Sequence, residues 1–308
     1  GGADPTQVSV RAHDRGRGQL GTMGAGNHFV ELQVVDEILD PDVAQSLGLV
    51  VGGLTVLIHT GSRGLGHQVC EDHVKNLQPA AARAGIALPD RQLACAPLGT
   101  PEADAYLAAM AAAANFAFVN RSVIATHVRR SLGALFEMDT EAVRVVYDVC
   151  HNIAKFEEHR IPVGPDAGKR KRLCVHRKGA TRAFAAGHPG VPAGYSRVGQ
   201  PVIVPGDMGR MSFLLAASPG ALETTFGSSC HGAGRRLSRS AAKRTWDGPA
   251  LIEQLGRQGI VVRAATPDVA AEEAPEAYKD VSMVVDSVEL AGLARKAARL
   301  RPLGVVKG

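Results

Sequence analysis

Aromatic residues are scarce: Phe, Trp and Tyr together make up 4% of the 308 residues. A long groove that stacks base after base on aromatic rings is therefore a poor expectation, and any nucleic acid would be held by its backbone and its ends. Cysteine is also sparse. Five are scattered (Cys70, Cys95, Cys150, Cys174, Cys230), an odd number with no C-x-x-C pair. That pattern argues against a disulfide framework and a structural zinc site, and it fits a reducing compartment such as the cytoplasm. No apolar run reads as long enough to span a bilayer, and no charged-then-apolar leader opens the chain, so no membrane association is expected. Repeats and low-complexity linkers are missing. The opening Gly1-Gly2-Ala3-Asp4-Pro5 has no Met, which suggests processing or truncation.

What remains describes a globular domain. Hydrophobic residues make up 45% and charged residues 21%, and the chain is long enough for a large core. The formal net charge of +5 permits a polyanionic partner without requiring one.

Residues 54–59 read as a buried strand that runs into the turn Thr60-Gly-Ser-Arg-Gly-Leu-Gly66, after which a helix is expected. Asp40-Pro41 reads as an N-cap with Pro at the first helical position, and Gly48 ends that helix. Thr100-Pro101-Glu102 gives the same signal before an Ala-rich stretch to about Phe136, as one long helix or two. Residues 143–149 read as a strand, 160–172 as an exposed loop or hairpin, and 173–176 and 201–204 as strands. A last helix is expected over 279–298, with a short terminal strand at 303–306. The alternation implies an α+β fold.

Four histidines lie at the edges of Gly-rich turns: His28, His59, His151 and His231. Neutral imidazole ligates first-row divalent metals, and several strand ends can aim such groups at one point. Each histidine taken alone is equally well read as an ordinary hydrogen-bonded residue. His231 precedes Gly232-Ala-Gly-Arg-Arg-Leu-Ser-Arg239, where a helix start is expected with Arg235 and Arg239 one turn apart. A helix N-terminus there would favour phosphate, and the histidine could attack a phosphorus centre. The plainer reading is a capping turn with a solvated basic face. Lys169-Arg-Lys-Arg172 reads more readily as a solvated loop than as a nucleic-acid site. His176-Arg-Lys-Gly-Ala-Thr-Arg182 has the composition of a phosphate-holding turn.

Seven phrases occur in order: Gly24-Ala-Gly-Asn-His-Phe-Val-Glu31, His59-Thr-Gly-Ser-Arg-Gly64, Cys150-His-Asn-Ile-Ala154, Val175-His-Arg-Lys-Gly-Ala-Thr-Arg182, Pro205-Gly-Asp-Met-Gly209, Ser229-Cys-His-Gly-Ala-Gly-Arg235 and Ala274-Pro-Glu-Ala-Tyr-Lys-Asp280. Together they resemble the RtcB family of RNA ligases of tRNA splicing and RNA repair. The resemblance implies a single catalytic domain over 1–308, a mixed fold with short strands and Gly-rich turns around a central metal and nucleotide cleft. It implies joining of an RNA 3′-phosphate or 2′,3′-cyclic phosphate end to a 5′-hydroxyl end, with GTP and two manganese ions. Archease is a candidate activating partner.

By resemblance His231 is the nucleophile that becomes guanylylated, and His28, His59 and His151 bind manganese. Asn27, His28, Phe29, Val30 and Glu31 contact the nucleotide, with Glu31 accepting from guanine. His151, Asn152, Pro205, Gly206, Asp207, Met208, Ser212, His231, Gly232, Ala233, Gly234 and Lys307 make further GTP contacts, and Tyr278 packs on the guanine. Arg63, Arg177, Arg235 and Arg239 bind phosphate or RNA ends. Two departures stand out. The family's Asp-Val-Gly-Cys-Gly segment, a source of an Asp and a Cys metal ligand, is not in this sequence, so the chain is expected to be the C-terminal two-thirds of the family's length. Asp207 and Arg210 also stand where many relatives have Ser and Thr. The alternatives are a metal-dependent RNA phosphoesterase that needs no nucleotide, and a truncated, non-catalytic paralogue that binds nucleotide or RNA.

Overall fold

The computed structural model describes residues 2–308. In chain order the elements are α1 (Val10–Gly16), β1 (Phe29–Ile38), α2 (Pro41–Leu47), β2 (Leu54–His59), α3 (Arg63–Arg83), α4 (Pro101–Phe136), β3 (Asn152–Arg160), β4 (Arg170–Lys178), β5 (Ala180–Arg182), β6 (Pro201–Val204), β7 (Ser212–Ala217), α5 (Pro219–Thr224), β8 (Ser228–Cys230), α6 (Arg239–Thr245), α7 (Gly248–Arg257), β9 (Val261–Ala264), α8 (Pro267–Glu272), α9 (Val281–Leu290) and β10 (Ala294–Lys307). The α+β expectation holds. The chain forms two compact units, Gly1–Gly24 with His59–Arg144, and Ala25–Ile58 with Val145–Gly308.

The first unit is helical. Its core packs Val8 and Ala12 against Leu65, Val69, Ala109 and Ala113, and Gly16 lets α1 approach α3, where an added Cβ would stand 2.8 Å from that of Leu65. α4 is one continuous helix: Thr100 caps it, Pro101 starts it, and Glu102 and Asp104 sit favourably at its positive end. Contrary to the expectation from sequence, α4 is long and apolar enough by length and composition to cross a membrane. Alanine is only weakly apolar, so the run does not stand out by eye. Its middle is nonetheless polar and engaged. Buried Asn120 accepts from the backbone N–H of Gly21 (2.7 Å) and Thr22 (3.2 Å) and donates to the carbonyls of Thr22 (3.0 Å) and Gly61 (3.1 Å). Arg121 donates to the Thr60 carbonyl at 3.2 Å.

The second unit is built on a six-stranded sheet in the order β2-β1-β10-β7-β6, with β9 also paired to β10. The long β10 runs antiparallel to β1 and, through its first half, to β7, while its last residues pair in parallel with β9. β7 is buried at every position, and alternate side chains serve different cores. Phe213, Leu215 and Ala217 face Val281, Val285 and Val288 of α9. Leu214 and Ala216 face Val43 and Leu47 of α2. A third core joins Met208, Leu251, Leu255, Ile260 and Val305.

Several expectations are corrected. β2 is half-buried because it is the edge strand. α3 begins inside the expected turn, at Arg63. Residues 143–149 form no paired strand among the described residues. Side chains hold the segment instead: the Tyr195 hydroxyl donates to the Val146 carbonyl, and Gln200 donates to the Tyr147 hydroxyl. The last helix stops at Leu290, where left-handed Gly292 turns the chain, and the Ala-rich residues beyond it enter the middle of the sheet as β10. No helix starts at His231. Gly234 is left-handed, and a bridge between Arg235 and Tyr278 draws the chain sideways, so α6 begins only at Arg239 with Ser238 as its cap.

Candidate active site

Within the second unit the predicted residues gather in two groups. The first is built on imidazoles. β8 pairs with β5 so that Ala180 faces Cys230, which brings Gly179 beside His231. Gly179 has φ +70°, and a Cβ there would stand 3.5 Å from His231 Cε1. The Gly179 N–H donates to the His151 carbonyl at 3.1 Å. The rings of His151 and His231 lie 4.5 Å apart at 41°.

Burial lowers the His231 pKa, and Lys178 lowers it further against a hydrogen bond to the Gly179 backbone. Burial likewise brings His151 down to about 4, helped by His231, Lys178 and His28, so His28 lies within electrostatic reach. Asn152 opens β3 and accepts from Lys178 Nζ at 3.5 Å. The loop after His231 runs against the Pro205 turn. The Ala233 N–H donates to the Pro205 carbonyl at 3.0 Å, and a Cβ on Gly232 would lie 3.3 Å from that oxygen.

The second group is ionic and buried. Glu31 is 3% exposed and accepts from Gln33 Nε2 at 2.6 Å. Burial pushes its carboxyl up to about 8, Asp207 adds to the rise, and Gln33 and Lys307 oppose it. Lys307 Nζ lies 3.3 Å from Glu273 Oε2 and 5.8 Å from the Phe29 ring centre. Glu273, itself buried, also takes Arg235 Nη1 at 3.0 Å, Arg239 Nε at 3.4 Å and the Tyr278 hydroxyl. Burial alone would raise the Glu273 pKa, but Lys307, Tyr278 and the two arginines outweigh it and hold the carboxylate ionised. Burial, then Glu273, pushes the Tyr278 phenol well above its usual range. The Arg235 guanidinium lies 4.8 Å from the Tyr278 ring centre.

Asp207 and Arg210 pair with each other across their turn. Asp207 also caps the N–H groups of Gly209 and Arg210 at 3.0 and 3.1 Å, and Arg210 reaches the Pro275 carbonyl at 2.8 Å. The Gly206 N–H donates to buried Ser212 Oγ at 3.4 Å.

Arg177 is 3% exposed. It makes a bidentate pair with Glu157 at 2.9 and 2.8 Å and donates to Ser228 Oγ at 3.0 Å. That fastens β4 to β8 and leaves the fork of Arg177, expected from sequence to bind phosphate or RNA ends, engaged inside the protein. Arg235 and Arg239 do not share a helical face as expected; they converge on Glu273. His59 ends β2, and Arg63, at φ +52°, donates to Thr22 Oγ1 at 3.1 Å; both belong to the first unit. Glu157 and Glu273 went unseen in the sequence. Glu273 adjoins the Ala274–Asp280 phrase, a nearby signal, whereas Glu157 carried none.

Neutral imidazole is the form that ligates a metal, and burial supplies it at His151 and His231. His151 and His28, which lies within its electrostatic reach, are donors of the type a first-row divalent ion takes. Among the described residues no group of three His, Cys, Asp or Glu side chains gathers to hold one.

A family model described as tRNA-splicing ligase RtcB matches residues 1–308. The chain is 54% identical over 309 residues to the tRNA-splicing ligase RtcB of Archaeoglobus fulgidus, covering all of this chain and 63% of that protein. It is 51% identical to that of Thermococcus kodakarensis, with the same coverage, and 52% identical to that of Pyrococcus horikoshii, of which it spans 35%. The chain thus covers less than two-thirds of these relatives' lengths, and it belongs to the RtcB family of tRNA-splicing ligases.

Proposed function

We propose that this protein is a GTP-dependent RNA ligase of tRNA splicing or RNA repair, acting in the cytoplasm. It joins RNA 3′-phosphate or 2′,3′-cyclic phosphate ends to 5′-hydroxyl ends, with archease as a candidate activator. The observation that supports this most is the state of His231: a half-buried imidazole kept neutral, packed between Gly179 and His151 beside the Pro205 turn. A neutral ring nitrogen needs no general base to attack the α-phosphorus of GTP. The phosphoramidate forms as pyrophosphate leaves, and the GMP then passes to the RNA 3′-phosphate. A phosphate monoester is a poor electrophile until it carries such a leaving group, after which the 5′-hydroxyl attacks and GMP departs.

Within the second unit His28 and His151 would hold manganese, which when bound would neutralise phosphate charge and act as a Lewis acid. Glu31 accepts from the guanine, Tyr278 and Phe29 flank it, and Lys307 balances the carboxylates. A metal-dependent phosphoesterase built on the same histidines would have no use for the Glu31, Tyr278 and Lys307 group. The test is incubation with labelled GTP and manganese. We expect a covalent GMP adduct stable to alkali and labile to acid, absent in His231→Ala. No adduct, or an adduct that persists in the variant, contradicts the reading.

A further inference from the structure

The β3–β4 hairpin is a two-stranded sheet of its own, and its faces differ in character. One face turns inward with Glu157, His159, Val175 and Arg177. The register pairs Asn152 with Lys178, Ala154 with His176, Phe156 with Cys174, Glu158 with Arg172 and Arg160 with Arg170, so these residues share the other face. On that face Arg160, Arg170, Arg172 and Lys178 are exposed, against a single carboxylate, Glu158.

Asp166 in the connecting loop engages Lys169 and Lys171. Among the described residues no ion pair engages Arg160, Arg170 or Arg172, which leaves their charge directed to solvent. Phe156 is 43% exposed, and the Arg172 guanidinium lies 5.1 Å from its ring centre. One end of the face is the candidate active site: His151 directly precedes β3, and Lys178 acts electrostatically on both His151 and His231. From there the strands extend about 30 Å, with side chains on one face roughly 7 Å apart.

We propose that this face is a track for single-stranded RNA leading away from His231. The backbone phosphates lie on Lys178, Arg172, Arg170 and Arg160, and one base stacks on Phe156. The identity of the polyanion rests on the ligase reading; the spacing, charge and single aromatic are the hairpin's own. A strand held by phosphate contacts and one stacked base is recognised without regard to sequence.

The test measures binding of two fluorescent RNAs with 3′-phosphates to the protein across a salt series, with no GTP present. One is roughly 20 nucleotides long, beyond the typical site of about 4–16 for a single fold; the other is a trinucleotide too short to leave the histidine end. Reversing Arg160, Arg170 and Arg172 to Glu together should weaken the long RNA by about tenfold or more. It should also lower the salt slope by about 2, at about 0.7 per phosphate contact, and leave the trinucleotide unaffected. Phe156→Ala should weaken the long RNA several-fold with the salt slope intact. Unchanged affinity for the long RNA, or equal losses for both RNAs, overturns the track. Failure of the unsubstituted protein to form the GMP adduct would remove the ligase reading, and the two binding curves would still decide whether the face holds RNA.

Discussion

The two groups of the candidate site are opposites in charge. Around His231 the side chains are imidazoles kept neutral by burial, held by glycine-rich turns and backbone hydrogen bonds. Around Glu273 every member is ionic or bonded to an ion, and the group is fixed to strand ends and a helix start. A neutral nitrogen keeps its lone pair for chemistry, whereas locked ion pairs give shape and polarity to a recognition surface. On the proposed ligase reading, the difference implies that substitutions in the ionic group act first on stability and nucleotide affinity, and those in the imidazole group on the covalent step.

The largest expected effect is on the ionic side. Glu273→Ala leaves Lys307 buried without its partner, which should cost about 3–5 kcal/mol of stability. Urea unfolding would check it, and Glu273→Ala combined with Lys307→Met should recover much of the loss. A loss below about 1 kcal/mol in the single variant would mean that the group is solvated and the contrast false.

Glu31 sharpens the comparison next. Its carboxyl is raised to about 8 by burial, so the folded protein binds that proton more tightly than the unfolded chain. Stability is therefore lost as pH rises from the ordinary carboxyl range through about 8. Glu31→Gln should be more stable than the parent at pH 9 by several kcal/mol, with the gain gone near pH 4. If the ionised carboxylate accepts from guanine, GTP binding near pH 7 should release a proton. Calorimetry in two buffers of different ionisation enthalpy reads this directly.

The ionic group was nearly illegible in the sequence, and the reason is physical. Glu273 meets Lys307 across 34 residues and Arg235 across 38, and nothing local distinguishes a buried carboxylate from a solvated one. The imidazole group was legible because glycine turns and histidines lie adjacent in the chain. Caps set α2 and α4 correctly, since Asp40, Gly48 and Thr100 act within one turn. The Ala-rich stretch at 294–298 misled because helix propensity is local, while its place between β1 and β7 is a tertiary fact. The expected helix at His231 failed because the bridge to Tyr278 outweighed the Gly-Ala-Gly-Arg pattern.

The smallest expected effect lies on the imidazole side. Gly179→Ala forces a left-handed residue, costing about 1–2 kcal/mol, and sets a methyl 3.5 Å from His231 Cε1. Adduct formation should slow several-fold with GTP affinity retained. A change in affinity alone would move Gly179 into the recognition side of the comparison.

The most direct measurement of the central claim is mass spectrometry of the protease-digested GMP adduct, kept at alkaline pH. The account predicts GMP on the peptide carrying His231, attached to its imidazole. GMP on His151 or Lys178, both close enough to compete, would contradict it.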